Sequence, residues 1–284
     1  MHEPLKPKTM NKRIFLLGYL LSICINACAW DILQAVGSRS AALGRCSVAL
    51  CDFWSIQNNP AGIASYDNIS IGISYENRFL LNELSYKNIA FLNPLKIGVI
   101  GISASQFGFR NYNENVISLA FAREFAPFLK IGLKLDYLFF RYSNEYDNIH
   151  SATFEIGISS QITENILIAT YIFNPINVKI HENNKVPVIM RIGFSYYVNN
   201  DFMIISEIEE NFEDNLSFRI GLEYIPIKKI FIRTGLQLNP ALFTFGLGYN
   251  HKRYEIDISA QMSNILGASL QCSFIINIDN KNYQ

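Results

Sequence analysis

Neither charge is in surplus. The 284 residues hold 24 Lys+Arg against 24 Asp+Glu, which argues against nucleic acid or an anionic surface as the main partner. Long apolar runs are also missing: after the N-terminus, no uninterrupted stretch approaches the ~20 residues that a membrane helix needs. Disorder is excluded too, because half the residues are hydrophobic, 13% are aromatic and only 17% are charged. High but dispersed hydrophobicity leaves two classes. One is an all-β soluble protein with a large core, and the other is a membrane barrel with apolar residues facing outward at alternate positions.

The N-terminus reads as an export signal. Lys12 and Arg13 precede a short apolar core from Ile14 to Ile25, followed by the small-x-small site Ala27-Cys28-Ala29. Residues 1–29 are therefore expected to be a signal peptide, with Met10 as a second candidate start. A rival reading takes Ile25-Asn26-Ala27-Cys28 as a lipoprotein box with Cys28 acylated. Cleavage after Ala29 removes four basic residues (Lys6, Lys8, Lys12, Arg13) and one acidic residue (Glu3), leaving 20 against 23. Three cysteines would remain, Cys46, Cys51 and Cys272, and an odd count in an oxidising compartment cannot be a disulfide framework. Cys46 and Cys51 could pair, or serve as small buried hydrophobes.

From Asp67 to Ile278 the chain falls into about fourteen stretches that alternate apolar with polar or small residues, each ended by turn chemistry. Leu129-Ile131-Leu133-Leu135-Tyr137-Phe139, interleaved with Lys130, Gly132, Lys134 and Asp136, is one clear case. Phe218-Ile220-Leu222-Tyr224 against Arg219, Gly221 and Glu223 is another. The pattern predicts strands at 69–78, 83–92, 95–106, 115–126, 128–142, 151–161, 164–174, 186–198, 201–209, 215–225, 228–238, 241–250, 253–262 and 268–278. The connections alternate as well. Six tight turns, among them Asn93-Pro94, Ala126-Pro127 and Asn250-His251-Lys252, fall on one side, as short periplasmic turns do in bacterial barrels. Longer connections are expected on the other side at 107–115, 143–150, 175–187 and 211–215, with short ones near Leu80 and at Asn239-Pro240.

A β-sandwich would alternate too, but would bury its apolar face. Here the apolar set is large and lipid-like, while the opposite set mixes glycine, serine and both charges, which suits a lumen. The fold class is thus an all-β, membrane-spanning antiparallel barrel of about fourteen strands over residues 67–284, placed in the bacterial outer membrane. Lys134, Arg191, Arg219 and Arg233 are expected to share its interior with Asp136, Glu155, Glu223, Glu255 and Asp257, pairing across strands. A lumen this wide needs side chains, water or a plug to fill it. Tyr75, Phe79, Tyr137, Phe139, Tyr224 and Tyr249 fall near strand ends, where interfacial girdles belong. Phe274, in the last strand, is followed by ten more residues rather than ending the chain.

Residues 30–66 lack this alternation. They contain Val36-Gly37-Ser38-Arg39-Ser40-Ala41-Ala42-Leu43-Gly44, then an apolar stretch ending at Asp52, then Asn59-Pro60-Ala61-Gly62. Small residues allow close packing, and Asn-Pro followed by Gly is turn chemistry, so the segment could fold inside a lumen as a plug. The turn at Asn59 could merely lead the chain to the first strand, or could gate a ligand path. The pattern Gly37, Arg39, Ala41, Gly44, Asp52, Asn59, Pro60, Ala61, Gly62 resembles the N-terminal signature of FadL-like outer-membrane proteins, above all the PorV/PorQ branch of Bacteroidota. Arg45-Cys46 departs from it. The resemblance implies a fourteen-stranded barrel with an N-terminal plug. Relatives of this kind carry hydrophobic molecules, or serve type IX-like protein secretion and surface attachment. Expected partners are outer-membrane lipid and lipopolysaccharide, with hydrophobic solutes or secreted proteins as cargo.

Catalytic chemistry is not in view, and no cofactor is expected. His150, His181 and His251 fall far apart in predicted connections, without the spacing of a zinc site. Asn148, His150 and Ser151 match the residue types of an outer-membrane phospholipase, but neighbours in one loop do not provide a triad's geometry. Gly246-Leu247-Gly248 precedes no helix and is no phosphate loop. The acidic run Glu207, Glu209, Glu210, Glu213 and Asp214 is expected at an outer strand end, as a solvated loop or a divalent-cation site.

Overall fold

The computed structural model describes residues 34–142, 148–181, 184–211 and 216–278. The predicted signal peptide lies outside the described residues. Fourteen strands close into one antiparallel barrel. In chain order they are β1 (Ile69–Asn77), β2 (Ser85–Leu95), β3 (Gly98–Phe109), β4 (Tyr112–Ala126), β5 (Leu129–Tyr142), β6 (Ile149–Thr163) and β7 (Ile166–Phe173). A small separate hairpin, β8 (Lys179–His181) with β9 (Asn184–Lys185), follows. The barrel resumes with β10 (Ile189–Asn199), β11 (Phe202–Asn211), β12 (Ser217–Ile227), β13 (Ile230–Leu238), β14 (Leu242–His251), β15 (Tyr254–Ser263) and β16 (Gly267–Ile278). Strand β7 pairs with β10, and β1 closes on β16 with Ile69 opposite Ile278.

Why the sheet closes with this side out follows from the alternation. Ile73, Ile117, Leu135, Ile192, Phe245 and Ile258 are all exposed on the outer surface, while their neighbours Ser74, Ser118, Lys134, Arg191, Thr244 and Asp257 are buried inside. An apolar exterior over a polar interior is the arrangement of a membrane barrel. Closure also removes the edge strands that an open sheet would expose.

Every connection at the end holding both barrel termini is two residues long: 96–97, 127–128, 164–165, 200–201, 228–229 and 252–253. The other end differs from expectation twice. Strands β3 and β4 run on to a two-residue turn at 110–111, so the long loop expected at 107–115 does not exist. Phe107 is instead inward and packs against Tyr86 at 6.5 Å between ring centroids. Conversely, the connection near Leu80 spans residues 78–84 in two short 3-10 turns, because Arg78 folds inward over the Tyr86 and Phe107 rings.

Residues 34–66 lie within the barrel. Two short helices, α1 (Ser38–Ala42) and α2 (Ser55–Asn58), and a 3-10 helix at Pro60–Ser65 carry the chain through the lumen to β1. The wall admits them because eight inward positions are glycine: Gly72, Gly101, Gly132, Gly157, Gly193, Gly221, Gly235 and Gly246. A Cβ at any of these would collide with the segment. Gly72 faces Phe53, Gly101 faces Ile56, Gly132 faces Pro60 and Ala61, and Gly157 faces Asn59. On the far side, Gly193 faces Val48, while Gly221, Gly235 and Gly246 face Leu43, Gly44 and Ala42. Some pair directly across strands, as Gly132 with Gly157 and Gly221 with Gly235.

Leu135→Arg, which puts a charge on the outer wall midway along β5, should destabilise the barrel by about 2–4 kcal/mol, measured by urea unfolding in lipid. An unchanged stability would place Leu135 away from the membrane.

Candidate functional site

The lumen has two chemically different halves, and the inner segment touches both. Along β10–β15 the contacts are ionic. Arg39 makes a two-pronged pair with Glu223, Nε to Oε2 at 2.9 Å and Nη2 to Oε1 at 2.7 Å. Arg233 donates to the same carboxylate at 2.6 Å and also pairs with Asp257. One strand further on, Glu207 accepts from the backbone N–H groups of Ser47 and Val48 at 2.7 and 2.8 Å and from Arg219 at 2.7 Å. Glu209 joins Arg219 to Arg191.

Glu207 and Glu209 are therefore neither a solvated outer loop nor a cation site. Both side chains face inward, with Glu207 buried. Their even separation around Ile208, which is exposed outside, is the signal that would have found them. Glu213 and Asp214 lie outside the described residues.

Other wall residues fasten the segment's backbone. The Thr244 hydroxyl accepts from the Gly44 N–H at 2.9 Å and donates to the Ala42 carbonyl at 2.8 Å. Ser195 donates to Ala49 at 2.8 Å. Arg45, the departure from the family signature, reaches Gln261 at 2.7 Å and Glu76 at 3.0 Å. Gly37 and Gly44 have φ of 96° and 66°, and a Cβ on Gly44 would strike the Leu236 and Ile220 carbonyls. Glycine is required there on both counts.

The Asn59-Pro60-Ala61-Gly62 turn is held from within. Asn59 caps the 3-10 helix by accepting from Ala61 N–H at 3.1 Å and donates to Val48 O at 2.7 Å. Gly62 leaves room for Ser55, whose hydroxyl donates to Leu50 O at 2.7 Å. Asn58 exchanges two hydrogen bonds with the Val36 backbone, at 2.8 and 2.9 Å. These contacts make the segment a folded body rather than a lead-in to β1.

Asp52 is the one acid among residues 34–66 and is only partly satisfied. It meets Arg39 at 3.4 Å, and its second oxygen is buried without a hydrogen-bond partner. Burial raises its pKa, and the pull of Arg39 does not cancel this. Arg39 itself, which burial would shift down, is held above its usual value by Glu223 and Asp52.

Lys134, Glu155 and Asp136 form a separate group on β5 and β6, with Lys134 Nζ at 2.9 Å from Glu155 and 3.6 Å from Asp136. Ser118 donates to Asp136 at 2.5 Å. Glu255 differs from its neighbours in having no arginine: it accepts from Asn277 Nδ2 at 3.1 Å, near the Tyr66 hydroxyl that donates to Asn277 Oδ1 at 2.8 Å.

The opposite half, along β2–β4, carries an apolar cluster beside a smaller polar set, in which Gln57 of the segment donates to Ser105 at 3.0 Å and Ser105 to Asn88 at 2.7 Å. Phe53, Trp54, Ile56 and Ile63 of the segment pack on Tyr86, Leu92, Val99, Phe107 and Ala122 in one buried cluster. Phe53 meets Trp54 edge-on at 5.0 Å and Tyr66 at 5.9 Å. With both halves filled, the interior cavity beside Gln34, Tyr86, Lys134 and Tyr171 measures about 20 Å3, enough for one water.

His150 and His251 lie in strands β6 and β14 rather than in connections. His150 bonds the Tyr137 hydroxyl at 2.6 Å on the exposed face. Cys46, Cys51 and Cys272 are all free: Cys46 is buried, Cys51 is half-buried and Cys272 lies on the outer wall.

In fold, the chain is similar to solved outer-membrane barrels. Against the Ralstonia pickettii toluene transporter TbuX the TM-score is 0.64 at 11% identity, covering 88% of this chain and 98% of that one. The P. putida toluene transporter TodX gives 0.61 at 11% identity, with 87% and 99% covered. A Pseudomonas aeruginosa FadL homologue gives 0.63 at 8% identity, with 86% and 98% covered. No protein-family model and no curated protein matches the sequence.

Two outcomes follow. Glu207→Ala leaves Arg219 its pair with Glu209 but strands the buried Ser47 and Val48 N–H groups, so it should cost about 3–5 kcal/mol in unfolding and expose residues 34–66 to protease. For Asp52 the folded pKa is raised. Its contribution is present below the ordinary carboxylate pKa and lost as pH rises through the folded one. Asp52→Asn should therefore raise the melting temperature at neutral pH and change it little in acid, as calorimetry at both would show.

Proposed function

We propose that the chain is an outer-membrane barrel of the FadL type that binds or passes hydrophobic small molecules, with residues 34–66 as its plug. The observation that carries this reading is the apolar seam inside the wall. Barrel interiors are ordinarily polar, yet this one presents an apolar strip from Tyr86 and Phe107 at the loop end to Leu92, Val99 and Ala122 near the tight-turn end. Leu138, Phe140, Tyr171, Phe173 and Ile189 extend it at the loop end as buried side chains. A solute of low polarity would find dispersion contacts there and no unpaired charge. The likeness of fold to toluene transporters supports the same class of cargo, and the position of residues 34–66 inside the wall supports their reading as a plug.

In the closed form the plug's own Trp54 and Ile56 occupy the seam, so passage requires the plug to shift on that side. The chemistry is binding and displacement, with no covalent step.

A second reading is an accessory barrel that docks secreted proteins. The ion-paired, filled lumen favours it, as does the connection at 174–188, which Asn174 pins by donating to Val186 O at 2.8 Å. Flux separates the two.

Reconstituted into vesicles whose outer leaflet is lipopolysaccharide, the protein should speed entry of an aromatic hydrocarbon. Leu138→Asp, which places a charge in the seam, should cut that rate about tenfold or more. Entry no faster than in protein-free vesicles would sink the uptake role and leave the docking one. In planar bilayers the full chain should conduct ions poorly, and Gly132→Val, which pushes against Pro60, should raise conductance.

A further inference from the structure

One recess of the described residues lies outside the lumen. On the outer wall of β13–β16 and β1 a depression of about 770 Å3 opens outward, running from Asn77 and Leu80 at the loop end to Leu247 and Ile258 on the side of the tight turns. Its origin is a row of paired positions in which size alternates: Thr234 opposite Phe245, Phe245 opposite Ala260, and Ala260 opposite Leu270. The small side chains Thr234 and Ala260 leave gaps on either side of Phe245. Two residues along the same strands, Ile232, Leu247 and Ile258 wall the recess.

The same strands end in a basic rim. Past the recess come Tyr249 and Tyr254, exposed at interfacial positions, with Tyr254 stacked on Phe274 at 6.2 Å. Beyond them the adjacent turns at 228–229 and 252–253 carry Lys228, Lys229, Lys252 and Arg253, all exposed. Asn250 N–H donates to Lys229 O at 2.9 Å, which holds the two turns side by side. The acids that follow in sequence turn away, Glu255 to Asn277 and Asp257 to Arg233, both in the lumen. Asp201 lies one turn further round, against Ile225. The balanced charge of the whole chain therefore hides a local excess.

We infer that this wall and rim form a seat for an anionic phospholipid in the leaflet at the tight-turn end. One acyl chain would lie in the recess, and the phosphate would meet Lys228, Lys229 and Lys252. The reach fits: Leu247 to Lys252 spans roughly 17 Å of strand, against about 15 Å for half of a bilayer's hydrocarbon core. Lipopolysaccharide faces the opposite rim in a barrel whose tight turns are periplasmic. Charge selects the headgroup, and the recess turns a diffuse attraction into a site.

The test uses the full chain extracted from vesicles of equimolar phosphatidylglycerol and phosphatidylcholine, with retained lipid counted by native mass spectrometry. Wild type should retain one phosphatidylglycerol in preference to phosphatidylcholine. Retention should fall about tenfold both in K228Q/K229Q/K252Q and in Ala260→Phe, which fills the recess. Thr234→Phe is the second filled variant should Ala260→Phe misfold, with heat-modifiable gel migration reporting the fold. Equal retention of the two lipids would overturn the inference. So would loss in the lysine variant alone with both filled variants unaffected, which is attraction without a seat. Competition by inorganic phosphate at the same concentration as the lipid would also overturn it, since it would reduce the site to an anion hole. Hydrocarbon entry is not part of the readout, so the uptake role stands or falls separately.

Discussion

A sheet of fourteen strands closed on itself encloses more volume than its own inward side chains can fill, and its inward face is polar. The residues from Gln34 to Tyr66 answer both demands at once. They bring bulk into the lumen, and they bring backbone and arginine groups that need the acceptors the wall supplies. This works only because glycine occupies eight inward wall positions where the segment passes. A methyl group at these sites would hold the segment off the wall and lengthen the hydrogen bonds from Ser195, Glu207 and Thr244. The steric gap and the polar latch are one design, since neither the close approach nor the hydrogen bonds is possible without the other.

The latch is one-sided, and that asymmetry bears on the proposed function. On β10–β15 the segment is tied by directional, charge-assisted bonds whose loss would leave buried groups unpaired. On β2–β4 it is held mainly by apolar contact, which is non-directional and proportional to area, with a hydrogen bond from Gln57 to Ser105. An apolar solute can replace Trp54 or Ile56 against Leu92 and Val99 at little net cost, because one apolar surface substitutes for another. Nothing comparable can replace Glu223 between Arg39 and Arg233. On the proposed function, a segment held this way would yield along the seam while staying anchored opposite, with the charged half as support for the apolar half.

Most of the barrel was legible because alternation is local. Each strand announces itself within ten or so residues, and every predicted strand agrees with an observed one to within a few residues at either end. The tight-turn end was nearly as clear, since Pro, Asn, Asp and Lys pairs mark it, with one correction: Asn93 and Pro94 stay paired with β3 inside β2, and the turn falls at Lys96-Ile97. The loop end was harder. Phe107-Gly108-Phe109 and the residues after Tyr112 extend their strands only because Tyr86 and Arg78 supply inward partners from another hairpin. No local pattern carries that information.

The interior shows where periodicity stops being informative. Parity assigns a side chain to the lumen or the lipid, and it placed Lys134, Arg233 and Asp257 inside. It would have done the same for Glu207 and Glu209 had their alternation with Ile208 outweighed the look of an acidic run. What parity cannot give is the partner, because that depends on register and on how deep the inner segment sits. Glu255 is a case in point: it meets Asn277 of β16, which in turn accepts from Tyr66 at the end of the inner segment. The wall glycines posed the same problem from the other side. Read along one strand, each is a weak point in a β-pattern. Read across the barrel, they trace the path of the segment they admit.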